Sequence, residues 1–138
     1  MSEIKEQQTL EQKRAVFAWE RVKSLDDGLK DKAGMYIRRL PAMTFSNGLG
    51  QTLAFLWAKG AEDRSALIVY EILADWLISR RQIYGGDRKH LIETIARDDR
   101  FRYQLAQEEI WALLNWLKKF ADAFLPKEDL KPAAGEGK

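Results

Sequence analysis

Adjacent carboxylates and the single histidine are the side chains of this sequence considered for acid–base chemistry. The pairs are Glu62-Asp63, Asp98-Asp99 and Glu108-Glu109, and the histidine is His90. Neighbouring side chains on a helix point away from each other, so such pairs are typical of helix caps and solvated faces. No partner motif accompanies His90. A small hydrolase that uses His90 or a carboxylate is therefore the least favoured functional class.

Metal and cofactor sites are restricted by the absence of cysteine and by the single histidine. Thiolate sites and multi-histidine zinc sites are excluded, while Mg²⁺ or Ca²⁺ held by carboxylates alone stays open. Gly48-Leu49-Gly50 lacks the spacing of a dinucleotide-binding loop, and no predicted strand precedes it. We predict no metal site and no cofactor.

Clustered cations are the stronger candidates for binding. The formal net charge is only +2, so binding of a polyanion would depend on local patches. Arg38-Arg39 precedes the glycine turn 48–50, where a helix is expected to begin with unpaired N–H groups that attract phosphate. The alternative is that the cations pair with helix dipoles and provide solubility. The candidate phosphate contacts are Arg38, Arg39, Gly48, Gly50, Lys59, Arg64, Arg80 and Arg81.

The five tryptophans could pack the core, stack on bases or contact a protein partner. Trp19, Trp57 and Trp76 fall on apolar faces of predicted helices, which favours the core. Trp111 and Trp116 lie at the edge of the apolar stripe of the last helix. We predict these two as candidate contacts with another subunit, because interfaces are enriched in aromatic residues.

Helix caps and apolar residues at helical spacing define the elements that position these side chains. Thr9 and Gln12 form a capping-box pattern, and Asp63 is a candidate N-cap. Pro41 is expected to end or bend the second helix. Residues 64–81 are apolar almost all round, as in a central helix, and the last helix is predicted at about 104–124. The predicted fold is all-α, a single compact bundle of six to seven helices around the central helix at about 64–81.

The ends of the chain differ in composition from this helical part. We predict a flexible N-terminus at 1–6, a helical domain at 7–125 and a flexible tail at 126–138. No apolar run reaches the roughly 18 residues of a membrane span. The N-terminus has no apolar signal core, so a cytoplasmic location is expected.

Several stretches resemble the small α-helical subunit of the Cmr complex, the type III-B CRISPR effector that targets RNA. They are Asn47-Gly48-Leu49 with the following 51–56, the run Leu113–Ala121, and Thr9-Leu10-Glu11-Gln12 before Arg14-Ala15. Pro41 also stands seven residues before Gly48. The resemblance extends from about Thr9 to Ala121.

The resemblance implies a non-catalytic subunit of a ribonucleoprotein in antiviral defence. Copies would stack head-to-tail into a filament beside the crRNA-bound backbone subunits, and the groove between the two would hold target RNA. The RNA-cleaving and nucleotide-polymerising sites would belong to other subunits. Relatives carry basic side chains near Arg38, Arg39 and Lys59, and some carry another where this chain has Ser46. The implied partners are the backbone and large subunits, further copies of this chain, and crRNA-paired target RNA, with no membrane.

A second functional class stays open from the residues alone. The chain could be a helical protein-interaction adaptor without direct nucleic-acid contact, in which the basic groups meet acidic partners. Crosslinking to target RNA would separate this class from an RNA-proximal subunit.

Overall fold

The computed structural model describes residues 8–127, which form helices and no strand. Six α-helices lie in this part of the chain: α1 Leu10–Lys23, α2 Lys30–Asn47, α3 Leu49–Gly60, α4 Arg64–Asp75, α5 Leu91–Arg97 and α6 Arg100–Phe124. Short 3₁₀ turns occur at Asp27–Leu29 and Arg88–His90, and a π-turn at Trp76–Arg80 extends α4. The predicted all-α class is confirmed. The expected flexible N-terminus 1–6 and, of the expected tail 126–138, residues 128–138 lie outside the described residues.

The core is built around α4, as expected for a helix that is apolar on nearly every side. Val69, Tyr70 and Leu73 of α4 and Leu77 of the π-turn have no exposed surface. The long helix α6 packs against both α1 and α2, and α4 packs against α2 and α3. A bilayer crossing would require a longer or more apolar helix than any in residues 8–127.

Local capping signals place the helix starts. The Thr9 side chain accepts from the Gln12 N–H, and the Gln12 side chain accepts from the Thr9 N–H, which confirms the capping box. Asp63 accepts from the Ser65 N–H at the start of α4, and Asp99 accepts from the Arg102 N–H at the start of α6. Each side chain satisfies a backbone donor that has no partner within its helix.

One predicted helix boundary is wrong, and of the two outcomes expected for Pro41 the structure excludes an end of the helix there. α2 continues through Pro41 to Asn47, although proline cannot donate to the carbonyl four residues earlier. Packing outweighs that loss, because Leu40 and Thr44 on either side of Pro41 are buried. α6 begins at Arg100 rather than near Gln104, because Asp99 caps the same helix that carries the later apolar stripe.

Candidate nucleic-acid interface

Arg38 is used inside the molecule, where it secures the end of α6. Its Nε lies 2.8 Å from Asp122 Oδ1, and its Nη2 donates to the carbonyl oxygens of Ala121 at 2.9 Å and Leu125 at 3.0 Å. Its Nη1 donates to the Pro126 carbonyl at 3.1 Å. The cation therefore binds carbonyl oxygens at and just beyond the C-terminus of α6, where few backbone donors are available. Arg38, predicted as a phosphate contact, is thus engaged by the end of α6, while its neighbour Arg39 is exposed.

The glycine turn between α2 and α3 is also occupied. The Leu49 N–H donates to Gln107 Oε1 at 2.9 Å, and the Gly50 N–H donates to the Tyr103 hydroxyl at 3.1 Å. The expectation that these N–H groups are unpaired is wrong, because α6 delivers two polar side chains to them. Tyr103 and Gln107 are four residues apart, which places them on one face of a helix. That spacing is the sequence signal that could have identified them.

A different set of cations gathers where α2 meets the turn between α3 and α4. The Tyr36 hydroxyl donates to Asp63 Oδ2 at 2.8 Å, and the Tyr36 ring lies 6.3 Å from the Phe55 ring, between centroids. Lys32 and Arg39 lie one turn before and after Tyr36 on α2, while Lys59 follows Phe55 by one turn and Arg64 follows Asp63. These four exposed cations, Lys32, Arg39, Lys59 and Arg64, are called the junction patch.

The electrostatics of the junction patch favour an anion. Burial raises the pKa of Tyr36, and the hydrogen bond to Asp63 raises it further, while Arg39 opposes this. Burial would also raise the pKa of Asp63, but the bonds from Tyr36 and the Ser65 N–H, with the charge of Lys32, lower it. Asp63 is therefore ionised and engaged by Tyr36 and Ser65. No carboxylate of residues 8–127 lies within 4.0 Å of the cationic groups of the patch.

Arg80 and Arg81 lie on another surface, beside α1. The Arg80 guanidinium lies 4.9 Å from the centre of the Phe17 ring, and Arg81 Nε lies 3.5 Å from Glu109 Oε2. The structure thus places Arg39, Lys59 and Arg64 around one junction, and Arg80 and Arg81 elsewhere. Lys32 was missed by the sequence reasoning, although its spacing of four residues from Tyr36 indicates a shared helix face.

The division of the tryptophans between core and surface differs from the prediction. Trp76 is buried at 2% exposure, as expected, but Trp19 and Trp57 are 37% and 40% exposed, so their assignment to the core is wrong. Trp19 packs its edge against Phe124 on the outside of α1 and α6, with 4.8 Å between ring centres. Trp111 and Trp116 are half-buried, and Trp116 Nε1 donates to Glu11 Oε2 at 2.8 Å.

Several of the residues considered for catalysis have structural partners. His90 Nδ1 lies 2.9 Å from Asp87 Oδ1 on the exposed 3₁₀ turn, which lowers the pKa of Asp87. Asp63 and Asp99 are helix caps, and Glu109 is bound by Arg14 and Trp76. Residues 8–127 contain no group of three or more His, Asp or Glu side chains arranged to hold a metal ion.

Comparisons with known proteins agree with this architecture. A family model described as "CRISPR-associated protein (Cas_Cmr5)" matches residues 10–124, from the start of α1 to the end of α6. The fold is similar to the crystal structure of a CRISPR-associated Cmr5 family protein from Thermus thermophilus, with a TM-score of 0.69 and 23% identity. That match covers 86% of this chain and 100% of the other. Because the family model spans most of the sequence, the chain belongs to the Cas_Cmr5 family of CRISPR-associated proteins, which implies a component of a Cmr complex.

Proposed function

We propose that this chain is a non-catalytic structural subunit of a type III-B Cmr complex and that its junction patch contacts the target RNA. The observation that carries the proposal is the gathering of Arg39, Lys59 and Arg64 at one exposed junction, in a member of the Cas_Cmr5 family. Lysine and arginine contacts to phosphates position a nucleic-acid strand without specifying its sequence. Such a contact suits a subunit that must accept any target paired with the guide.

The same proposal includes head-to-tail stacking into the small-subunit filament that lines the RNA groove. A head-to-tail contact requires two different surfaces on each copy. Phe45 is 76% exposed and packs against Trp111 on one side of α6, with 5.4 Å between ring centres. Trp116 packs with Phe120 on another side, which faces α1. Two separate aromatic surfaces support the proposed mode of assembly.

Charge reversal of the junction patch tests the RNA contact. A complex assembled with the Arg39→Glu/Lys59→Glu/Arg64→Glu variant should bind target RNA at least tenfold more weakly at moderate salt, because three phosphate contacts are lost. Each lost phosphate contact to a single strand should reduce the slope of log affinity against log salt concentration by about 0.7. The loss of all three contacts should therefore make that slope shallower by about 2.

The matched control reverses three exposed cations elsewhere, Lys23, Lys89 and Lys119. This control changes the net charge by the same amount as the triple variant of the junction patch. If RNA contacts the junction patch directly, the control should bind target RNA with nearly normal affinity. Equal affinities and equal salt slopes for the two variants would exclude the junction patch. They would favour an adaptor without direct RNA contact.

A further inference from the structure

A groove lies between α1 and the π-turn that follows α4. This groove has a volume of about 450 Å³ and is lined by Leu10, Lys13, Val16, Trp76, Arg80 and Arg81. It contains no residue of the junction patch and contacts different helices. It therefore needs its own explanation.

Three cations define the charge of the groove. Lys13 is exposed and has no carboxylate of residues 8–127 within 4.0 Å of its ammonium group. Arg80 is held by its stacking over the Phe17 ring rather than by an acid. Arg81 Nε is buried without a hydrogen-bond partner in the described part of the chain, although Glu109 is 3.5 Å away. The groove thus presents positive charge that is only partly neutralised.

The π-turn sets the orientation of Arg80 and Arg81. The Arg81 N–H donates to the Trp76 carbonyl at 2.9 Å, five residues earlier, so one extra residue is accommodated in this turn. Gln82 then adopts φ 54°, an uncommon conformation for a residue other than glycine. π-turns are frequent at functional sites, where they redirect side chains.

The side chains that line the groove favour a peptide ligand over single-stranded RNA. Val16 is 43% exposed and Leu10 is half-buried, so the groove offers aliphatic surface beside its cations. Single-stranded RNA binds by stacking its bases on aromatic rings. Trp76 is almost fully buried and leaves little ring surface for a base. Aliphatic and cationic groups side by side fit a peptide with apolar and acidic side chains.

We propose that this groove binds an acidic, amphipathic segment of a partner polypeptide. An aliphatic side chain of the segment lies on Leu10 and Val16, while its carboxylates pair with Lys13, Arg80 and Arg81. Charge complementarity sets the orientation, and burial of the aliphatic side chain adds affinity. The proposal does not depend on the RNA contact of the junction patch.

Titration of the ¹⁵N-labelled full chain with a short capped peptide that alternates glutamate and leucine tests this site by NMR. We expect saturable shifts of the amide signals of Lys13, Val16 and Arg81. Lys13→Glu/Arg80→Glu should weaken binding at least tenfold, whereas the charge-matched Lys23→Glu/Lys119→Glu should leave it within twofold. Replacing leucine by serine in the peptide should also weaken binding several-fold.

Arg80→Glu removes the contact with Phe17, so Lys13→Glu alone serves as the variant that preserves the fold, checked by its thermal unfolding. It should weaken binding by about threefold or more. Unchanged binding by Lys13→Glu, or peptide-induced shifts confined to other surfaces, would overturn the proposal. It would also be overturned if oligouridine, added separately, shifted the groove signals at lower concentration than the peptide.

Discussion

Glu109 is a carboxylate buried in the interior and held by two side chains. Its oxygens accept from Arg14 Nη2 at 2.7 Å, Arg14 Nε at 3.2 Å and Trp76 Nε1 at 2.9 Å. Burial alone would raise the pKa of Glu109, but the bonds from Arg14 and Trp76 outweigh it and lower the pKa. The group is therefore ionised, and it joins α6 to α1 and to the π-turn.

Glu109→Gln should destabilise the protein by about 3 kcal/mol, because it leaves the partly buried Arg14 without its buried counter-ion. Glu108→Gln is the matched control, since Glu108 is the exposed neighbour on the same helix. Chemical denaturation of the two variants and the parent measures the difference. A loss for Glu109→Gln no larger than for Glu108→Gln would contradict this role.

The same variant changes the response to acid. A lowered pKa in the folded state means that ionised Glu109 stabilises the fold above its unfolded pKa of about 4.3, and that this contribution is lost as the pH falls below that value. The parent should therefore lose stability on acidification more steeply than Glu109→Gln. Parallel curves of unfolding free energy against pH below about 4 would show that Glu109 is not the responsible group.

Adjacent arginines on α2 should separate folding from binding. Arg38→Ala removes four hydrogen bonds at the end of α6 and should cost about 2 kcal/mol of unfolding free energy, because the bonds to the Ala121 and Leu125 carbonyls are partly buried. Arg39→Ala should change stability by less than about 0.5 kcal/mol, since Arg39 is exposed. Thermal unfolding checks both values, and equal losses would contradict the assignment.

The turn between α2 and α3 depends on the conformation of Gly48. Its φ of 88° and ψ of 164° lie in a region that is essentially restricted to glycine. A Cβ there would also lie 3.1 Å from the Tyr103 hydroxyl. Glycine at this position allows the turn in which the N-terminus of α3 contacts Tyr103 and Gln107 of α6.

Gly48→Ala should cost about 2 kcal/mol through backbone strain. Gly50→Ala is the control, because Gly50 lies inside α3 and a Cβ there would meet only ordinary contacts at 3.7 Å. We expect the control to be close to neutral in chemical denaturation. A tolerated Gly48→Ala would show that the turn can adopt another conformation.

The sequence predicted elements best where the signal is local. Thr9 with Gln12, and Asp63 with Ser65, are separated by three and two residues, so their pairing follows from helix geometry alone. Pro41 left two outcomes open, an end or a bend of the helix, and the burial of its neighbours on α2 favours continuation. A propensity is a weak constraint when packing favours a continuous helix.

The candidate site was predicted less well because long-range contacts decide it. Arg38 meets Asp122 across 84 residues, and Leu49 meets Gln107 across 58. Neither contact leaves a local pattern around Arg38 or Gly48. The basic residues were identified from their clustering, but only the fold shows that Arg39, Lys59 and Arg64 lie around one junction while Arg38 is used internally.

At the scale of the whole molecule, the proposed filament depends on the exposed aromatic surface formed by Phe45 and Trp111. Phe45→Asp should reduce the number of copies of this chain in an assembled complex, because it places a charge in the proposed contact. Phe101→Asp is the control, as Phe101 is 73% exposed but is not packed on Trp111. Native mass spectrometry counts the copies. The same number in both complexes would contradict a role for this surface.

The central claim is that the junction patch touches target RNA in the assembled complex. Ultraviolet crosslinking of bound target RNA, followed by mass spectrometry of the adducts, tests it most directly. The account predicts adducts on peptides that contain Arg39, Lys59 or Arg64, and their loss in the triple charge-reversal variant. Efficient crosslinking of target RNA to other subunits, with none to these peptides, would contradict it.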